Sequence, residues 1–193
     1  YLGELQYTKD EVAVASKFFG IGALMIGLAT GGYMLTTLGR MLTLTLGAVL
    51  AAATNLLYAD LARGGAVVQS VSDITGFTWL VANLGGDAGL AKLMMAIAGE
   101  NIAVGIAGAA FVAYLSSIVA KGQYALLSSL TMLVGTLGRG ALGQMIEEQG
   151  YFHVFILTTL MGGIAVIICI IEWIRISRLG AKSGIDEIAL KGA

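Results

Sequence analysis

The chain has 193 residues, 58% of them hydrophobic and 12% charged, with 28 glycines and no proline; an ordinary soluble domain carries about twice that share of charge. A net charge of −1 offers no electrostatic case for nucleic acid, and a single cysteine, Cys169, excludes an internal disulfide framework. The opening YLGELQYTKDE shows neither a signal peptide nor an initiator Met, so it reads as a piece of a longer protein or a processed one.

A helix needs about 20 mostly apolar residues to cross a hydrocarbon layer of roughly 30 Å. Five runs qualify, in chain order 12–35, 41–61, 90–119, 124–146 and 152–174. A very apolar soluble helical protein is the competing reading, but five such runs parted by short charged breaks fit poorly in water. Helices satisfy their own backbone groups, as a spanning segment must. The expected fold is therefore an all-α, polytopic membrane bundle of five transmembrane helices.

The first helix carries Ala23, Gly27 and Gly31 on one face. The third carries Gly99, Ala103 and Ala107 on one face and Gly105, Ala109 and Ala113 on another. Such ridges let helix backbones approach closely. They argue for a packed bundle and identify no substrate.

The breaks TTLGR (36–40) and AKGQ (120–123) are short and basic, and EEQG (147–150) is short and acidic. The stretch 59–89 is longer, polar and Gly-rich, and most of it forms an insert over 62–89. Its FTWLVANL segment is too short to span and is expected along the membrane interface, where Trp is favoured. Arg40, Lys121, Arg175, Arg178 and Lys182 fall on one side if five helices alternate, against Lys9 and Arg63 on the other, with Lys92 at a helix start there. The basic side is the cytoplasmic one. The chain then starts outside and ends inside, and an odd span count with an outside start points to further helices upstream.

Polar residues within the runs carry the functional signal. Glu100 lies about ten residues into its run, roughly 15 Å. Arg139 lies about seven residues from the outer end of its run, roughly 10 Å, and Lys17 about five, roughly 8 Å. Asn55 and Asn101 are uncharged but still costly in lipid. A charge near the bilayer centre costs about 2.5–3.5 kcal/mol on insertion scales. Lys17 is shallow enough to snorkel to the surface, and Arg139 suits a structural partner for a carboxylate. Glu100 is too short and too deep to snorkel. It calls for a polar cavity or a buried ion pair, and Arg139, at similar depth in the next run, is its expected companion. His153 reads as interfacial, and Met94, Met95 and Met132 as apolar filling. There is no HExxH, Walker loop, GxSxG or metal-ligand cluster. No enzyme, cofactor or metal is therefore expected, and substrate or proton handling fits these residues better than hydrolysis.

GENIAVGIAGAAFVAYL (99–115) followed by QYALLSSL (123–130) resembles the AmpG-like muropeptide permeases of the major facilitator superfamily. In that family an EN pair opens a Gly/Ala-rich helix, and a short loop then leads into Q-F/Y-A-L-L-S. Gly138-Arg139 matches the family's G-R element, while Gly143-Gln144 stands where the family has Gly-Pro. VASKFFGIGALMIGLATGG, with Lys17, resembles its lysine-and-glycine helix, and TNLLYA, with Asn55, the helix after it. GYMLTTLGR (32–40) resembles the superfamily loop G-x-L-x-D-R-x-G-R: Gly32, Gly39 and Arg40 fit, and Thr36 and Thr37 replace Asp-Arg.

The resemblance covers nearly all of the chain except the insert. It implies helices 8 to 12 of the C-terminal half, with 1–11 the outer tail of the preceding helix, 12–178 the bundle and 179–193 a cytoplasmic tail. It further implies proton-coupled import of muropeptides across the bacterial inner membrane, in partnership with a missing N-terminal six-helix half. Lys17, Asn55, Glu100, Asn101, Gln123 and Arg139 would line the substrate or proton pathway. Related permeases for acetyl-CoA share the broad pattern. A non-transporting scaffold or assembly subunit, whose polar residues are only structural ion pairs, is the rival class, and six further helices encoded upstream would discriminate against it. A membrane-embedded enzyme is a third class, for which no motif speaks.

Overall fold

The structure, a computed structural model, describes Ala13, Lys17 and residues 19–119 and 121–191, with side chains described as far as Leu179 except at 118, 121, 122, 134, 135 and 139. The described residues form helices and no strand. They are α1 (Gly20–Thr37), α2 (Arg40–Leu61), α3 (Ala66–Ile74), α4 (Phe77–Asn83), α5 (Ala88–Ile118) and α6 (Lys121–Lys191). Gly150, at φ 78° and ψ 163°, breaks α6 into a first arm (121–149) and a second (151–191).

Among the described residues, four helical stretches are long and apolar enough to cross a membrane: Gly20–Thr37, Arg40–Leu61, Ala88–Ser117 and Gln123–Leu179. The last is 57 residues long, far beyond the 20 or so that one crossing needs. The Gly150 break divides it, and it holds both expected runs 124–146 and 152–174. Large apolar side chains point outward along every one of these helices, among them Ile21 and Met25 of α1, Val49 and Leu56 of α2, Phe111 of α5 and Leu133 and Ile167 of α6. Water would penalise such a surface, and lipid does not. The protein is an all-α polytopic membrane bundle.

Several threonine hydroxyls within the spans are satisfied locally. Thr43 donates to the Gly39 carbonyl and Thr45 to that of Met41, both at 2.8 Å, and Thr159 donates to the Phe155 carbonyl at 2.8 Å. A threonine bonded back onto its own helix brings no unpaired donor into the lipid.

Helix α5 is central, flanked by α1 and α2 on different faces. A Cβ on Gly105 would lie 2.7 Å from the backbone of Gly27 and Leu24, so the backbones of α1 and α5 touch there. A Cβ on Gly47 of α2 would meet Ala107 at 2.7 Å, and one on Gly99 would meet Thr54 at 3.1 Å. The Gly105 ridge thus faces α1, and the Gly99/Ala107 ridge faces α2. The second arm of α6 runs antiparallel along α2. Phe152 lies under Arg63, Phe155 stacks on Tyr58, and Gly162 abuts Ala52. The first arm buries none of its described side chains.

The insert is folded. Asp60 of α2 accepts hydrogen bonds from the Val67 and Val68 amides, each at 2.9 Å, and so supplies an anion to the N-terminus of α3. Lys92 of α5 donates to the Gly64 carbonyl at 3.1 Å. Val68, Ser72 and Val81 are buried toward the bundle, and Val68 joins Tyr58, Leu61, Leu93, Ala96 and Ile97 in one apolar cluster. The insert therefore covers the end of the bundle where α2 ends and α5 begins.

Candidate functional site

Helices α2 and α5 meet at a polar seam. Tyr58 donates its hydroxyl proton to Glu100 Oε2 at 2.7 Å, the length of a hydroxyl–carboxylate hydrogen bond. Tyr58 is 2% exposed, and a tyrosine so deeply placed requires a partner for its hydroxyl. Its ring stacks on Phe155 of α6 at 5.0 Å between centroids, so three helices meet at Tyr58. Glu100 is only half-buried. Tyr58 lies three residues before the end of α2, about one helical turn. Measured against α2 rather than from Leu90, Glu100 is close to the covered end of the bundle.

The neighbouring expected residues divide. Asn101 donates to the Ile97 carbonyl of its own helix at 2.8 Å. Asn55 is half-buried one turn before Tyr58, and positions three apart on a helix share a face. The seam thus gathers Glu100 with Tyr58 and brings Asn55 alongside. Lys17 is exposed ahead of α1. Gln123 is exposed just past the far end of α5, and Glu100 lies about 27 Å from that end, so the two are not brought together. The side chain of Arg139 lies outside the described residues. The partner seen on Glu100 is a tyrosine.

A second carboxylate site was not anticipated. Glu172, on the second arm of α6, accepts from Tyr114 of α5 and from Arg175 of its own helix, each at 3.1 Å. Its sequence setting, IIEWIRISR, reads as a solvated helix end, and the Arg175 contact is an ordinary i,i+3 ion pair. Tyr114 is the signal that could have revealed it. Tyrosine–glutamate pairs thus hold α5 to α2 near one end and to α6 near the other. Beside the second pair, an apolar groove of about 550 Å³ runs between α2, α5 and α6, with Met41, Phe111 and Cys169 among its walls.

A carboxylate at a helix interface, with a hydroxyl donor on one oxygen, can hold a proton or receive a polar ligand. Among the described residues no group of His, Cys, Asp and Glu could hold a metal ion.

Fold and seam together define a membrane-spanning helix bundle with a carboxylate set between its helices. The chain is similar to two proteins named "Putative transporter AmpG 4", from Rickettsia felis and Rickettsia conorii, each 26% identical over 162 residues. The match takes in 82% of this chain and 34% of each relative, so the chain spans about a third of the length of the curated relatives it matches. The resemblance to AmpG-like permeases carried by the motifs thus extends over most of the chain. No protein-family model and no solved structure matches it.

Proposed function

We propose that this chain is the C-terminal half of an AmpG-like secondary transporter that imports muropeptides across the bacterial inner membrane in symport with protons. The observation that carries the reading is the Glu100 carboxylate, set among apolar helices and held at 2.7 Å by Tyr58 of the neighbouring helix. Secondary transporters bind substrate near the midplane between two halves that rock against each other. A half-buried carboxylate on one half is suited to that cycle, because its contact with water would change as the halves move. The similarity to proteins named as transporters supports the same reading. In it, Glu100 carries the coupling proton, Asn55 and Asn101 flank it, and Lys17, Gln123 and Arg139 belong to the pathway by their match to the family pattern. The chain starts on the periplasmic side and its C-terminus is cytoplasmic, as the distribution of Lys and Arg favours.

The test uses the full-length transporter in proteoliposomes. Glu100→Gln keeps the volume and the hydrogen bonding but cannot titrate. It is expected to abolish pH-driven muropeptide accumulation while leaving exchange of bound for free substrate largely intact. Accumulation against a gradient by the mutant would remove Glu100 from the coupling role. Loss of both accumulation and exchange, with the protein present in the membrane, would make Glu100 a structural residue and favour the scaffold reading. Competition by unlabelled acetyl-CoA in place of muropeptide would move the substrate assignment.

A further inference from the structure

We propose that the insert is an in-plane membrane anchor, with the outer side of α4 and the end of α3 seated in the headgroup zone of the bilayer. The insert turns Val68, Ser72 and Val81 inward, so its contacts with the bundle are already made. Much of what it leaves outside is nonetheless apolar, beside the exposed Ser70, Asp73, Thr75 and Asn83. Ile74 is 86% exposed, Trp79 71%, Leu84 76% and Leu80 44%. Leu80 and Leu84 stand one turn apart on the same side. Between Asp73 and Asp87 there is no charged residue. A segment facing water has no use for that combination, whereas an amphipathic helix lying in the interface requires it.

The position of the insert points to lipid. Phe77 of α4 packs on Phe19 at 5.4 Å between ring centroids, just ahead of the outward-facing Ile21, Met25 and Ile26 of α1. The apolar face of the insert is thereby continuous with the outward-facing apolar side of α1. Below it an apolar groove of about 530 Å³, lined by Phe19, Ile26, Phe77, Met95 and Ile102 among others, lies between α1, α4 and α5.

The depth is also right. Arg63 stands 3.5 Å from the ring centroid of Phe152, which ties that end of the second arm to the level of the insert. Trp173 is about 21 residues further along the same arm, about 32 Å at the helical rise, beside Arg175 and Arg178. A hydrocarbon layer is roughly 30 Å thick. With Trp173 and the two arginines at one surface, the insert and Trp79 fall at the other, the placement tryptophans prefer.

Trp79 and Trp173 are the chain's two tryptophans, which makes a direct test possible. The Trp173→Phe chain is reconstituted in phosphatidylcholine–phosphatidylglycerol vesicles, with lipid brominated either near the headgroup or near the acyl terminus. A blue-shifted Trp79 emission is expected, with a larger loss from the headgroup-proximal bromine than from the deep one and little loss to aqueous iodide. The difference spectrum between the unmodified chain and Trp79→Phe gives the same quantity without altering Trp173. Emission quenched by iodide and by neither lipid would overturn the proposal and place the insert in water. Shielding from iodide without quenching by either lipid would also overturn it, in favour of a protein contact on that face.

Discussion

Glu100 and Tyr58 are 42 positions apart in the chain and joined by a single short hydrogen bond. Tyr58→Phe removes the donor and leaves a carboxylate between helices with its own demand for one. The cost is expected to be about 1–3 kcal/mol, read from thermal or denaturant unfolding in detergent. Glu100→Gln in the Tyr58→Phe background is expected to cost less than it does alone, because the hydrogen bond that loses its charge assistance in the single mutant has already lost its donor. Strictly additive losses would show that the two side chains do not sense each other. Glu100 was legible as an anomaly because its charge interrupts an apolar run. Tyr58 was not, because a tyrosine in TNLLYA breaks no pattern, and only the register of α2 against α5 shows what it holds.

At the level of elements, α5 is a helix whose faces are set by glycine and alanine. Gly105→Leu is expected to separate α1 from α5, since the added side chain meets the backbone of Gly27 at 2.7 Å and backbone cannot swing aside. Overpacking of this kind costs about 1–3 kcal/mol or more. Gly108→Leu is the control, because a Cβ there meets nothing within 4 Å. A fall in the melting temperature of the bundle for Gly105→Leu alone is the expected result, and equal falls for both would count against the packing described. The spacing of small residues already separated the two ridges of α5. Which helix each ridge would meet was beyond a pattern that records only the face of one helix.

The whole molecule is a bundle wrapped in outward-facing apolar side chains, with one folded insert at the end where α2 stops. Orientation in the membrane is the prediction belonging to this scale. In the full-length protein with Cys169 replaced by Ala and other cysteines removed, a cysteine in place of Lys121 is expected to react with an impermeant maleimide in inside-out vesicles only. Reaction in intact spheroplasts would reverse the assignment and, with it, the side on which the insert lies.

The chain's own residues determined that it is helical and membrane-spanning, because length and apolarity are local properties. Lipid offers a backbone no partner, so a long apolar run has to be a helix wherever its neighbours lie. They also marked Glu100, since an ionised carboxylate in such a run has to be accounted for. Long-range packing decided the rest. FTWLVANL and the residues before it became two short helices because Asp60 caps α3 from the end of α2 and Val68 finds a place against Leu93. Neither helix has the length to be stable alone. Glu172 joined Tyr114 only because the second arm of α6 lies along the groove between α2 and α5. A hydrogen bond between helices depends on where each helix sits to within a fraction of a turn, and that is settled by the glycine contacts and ring stacks of the assembled bundle.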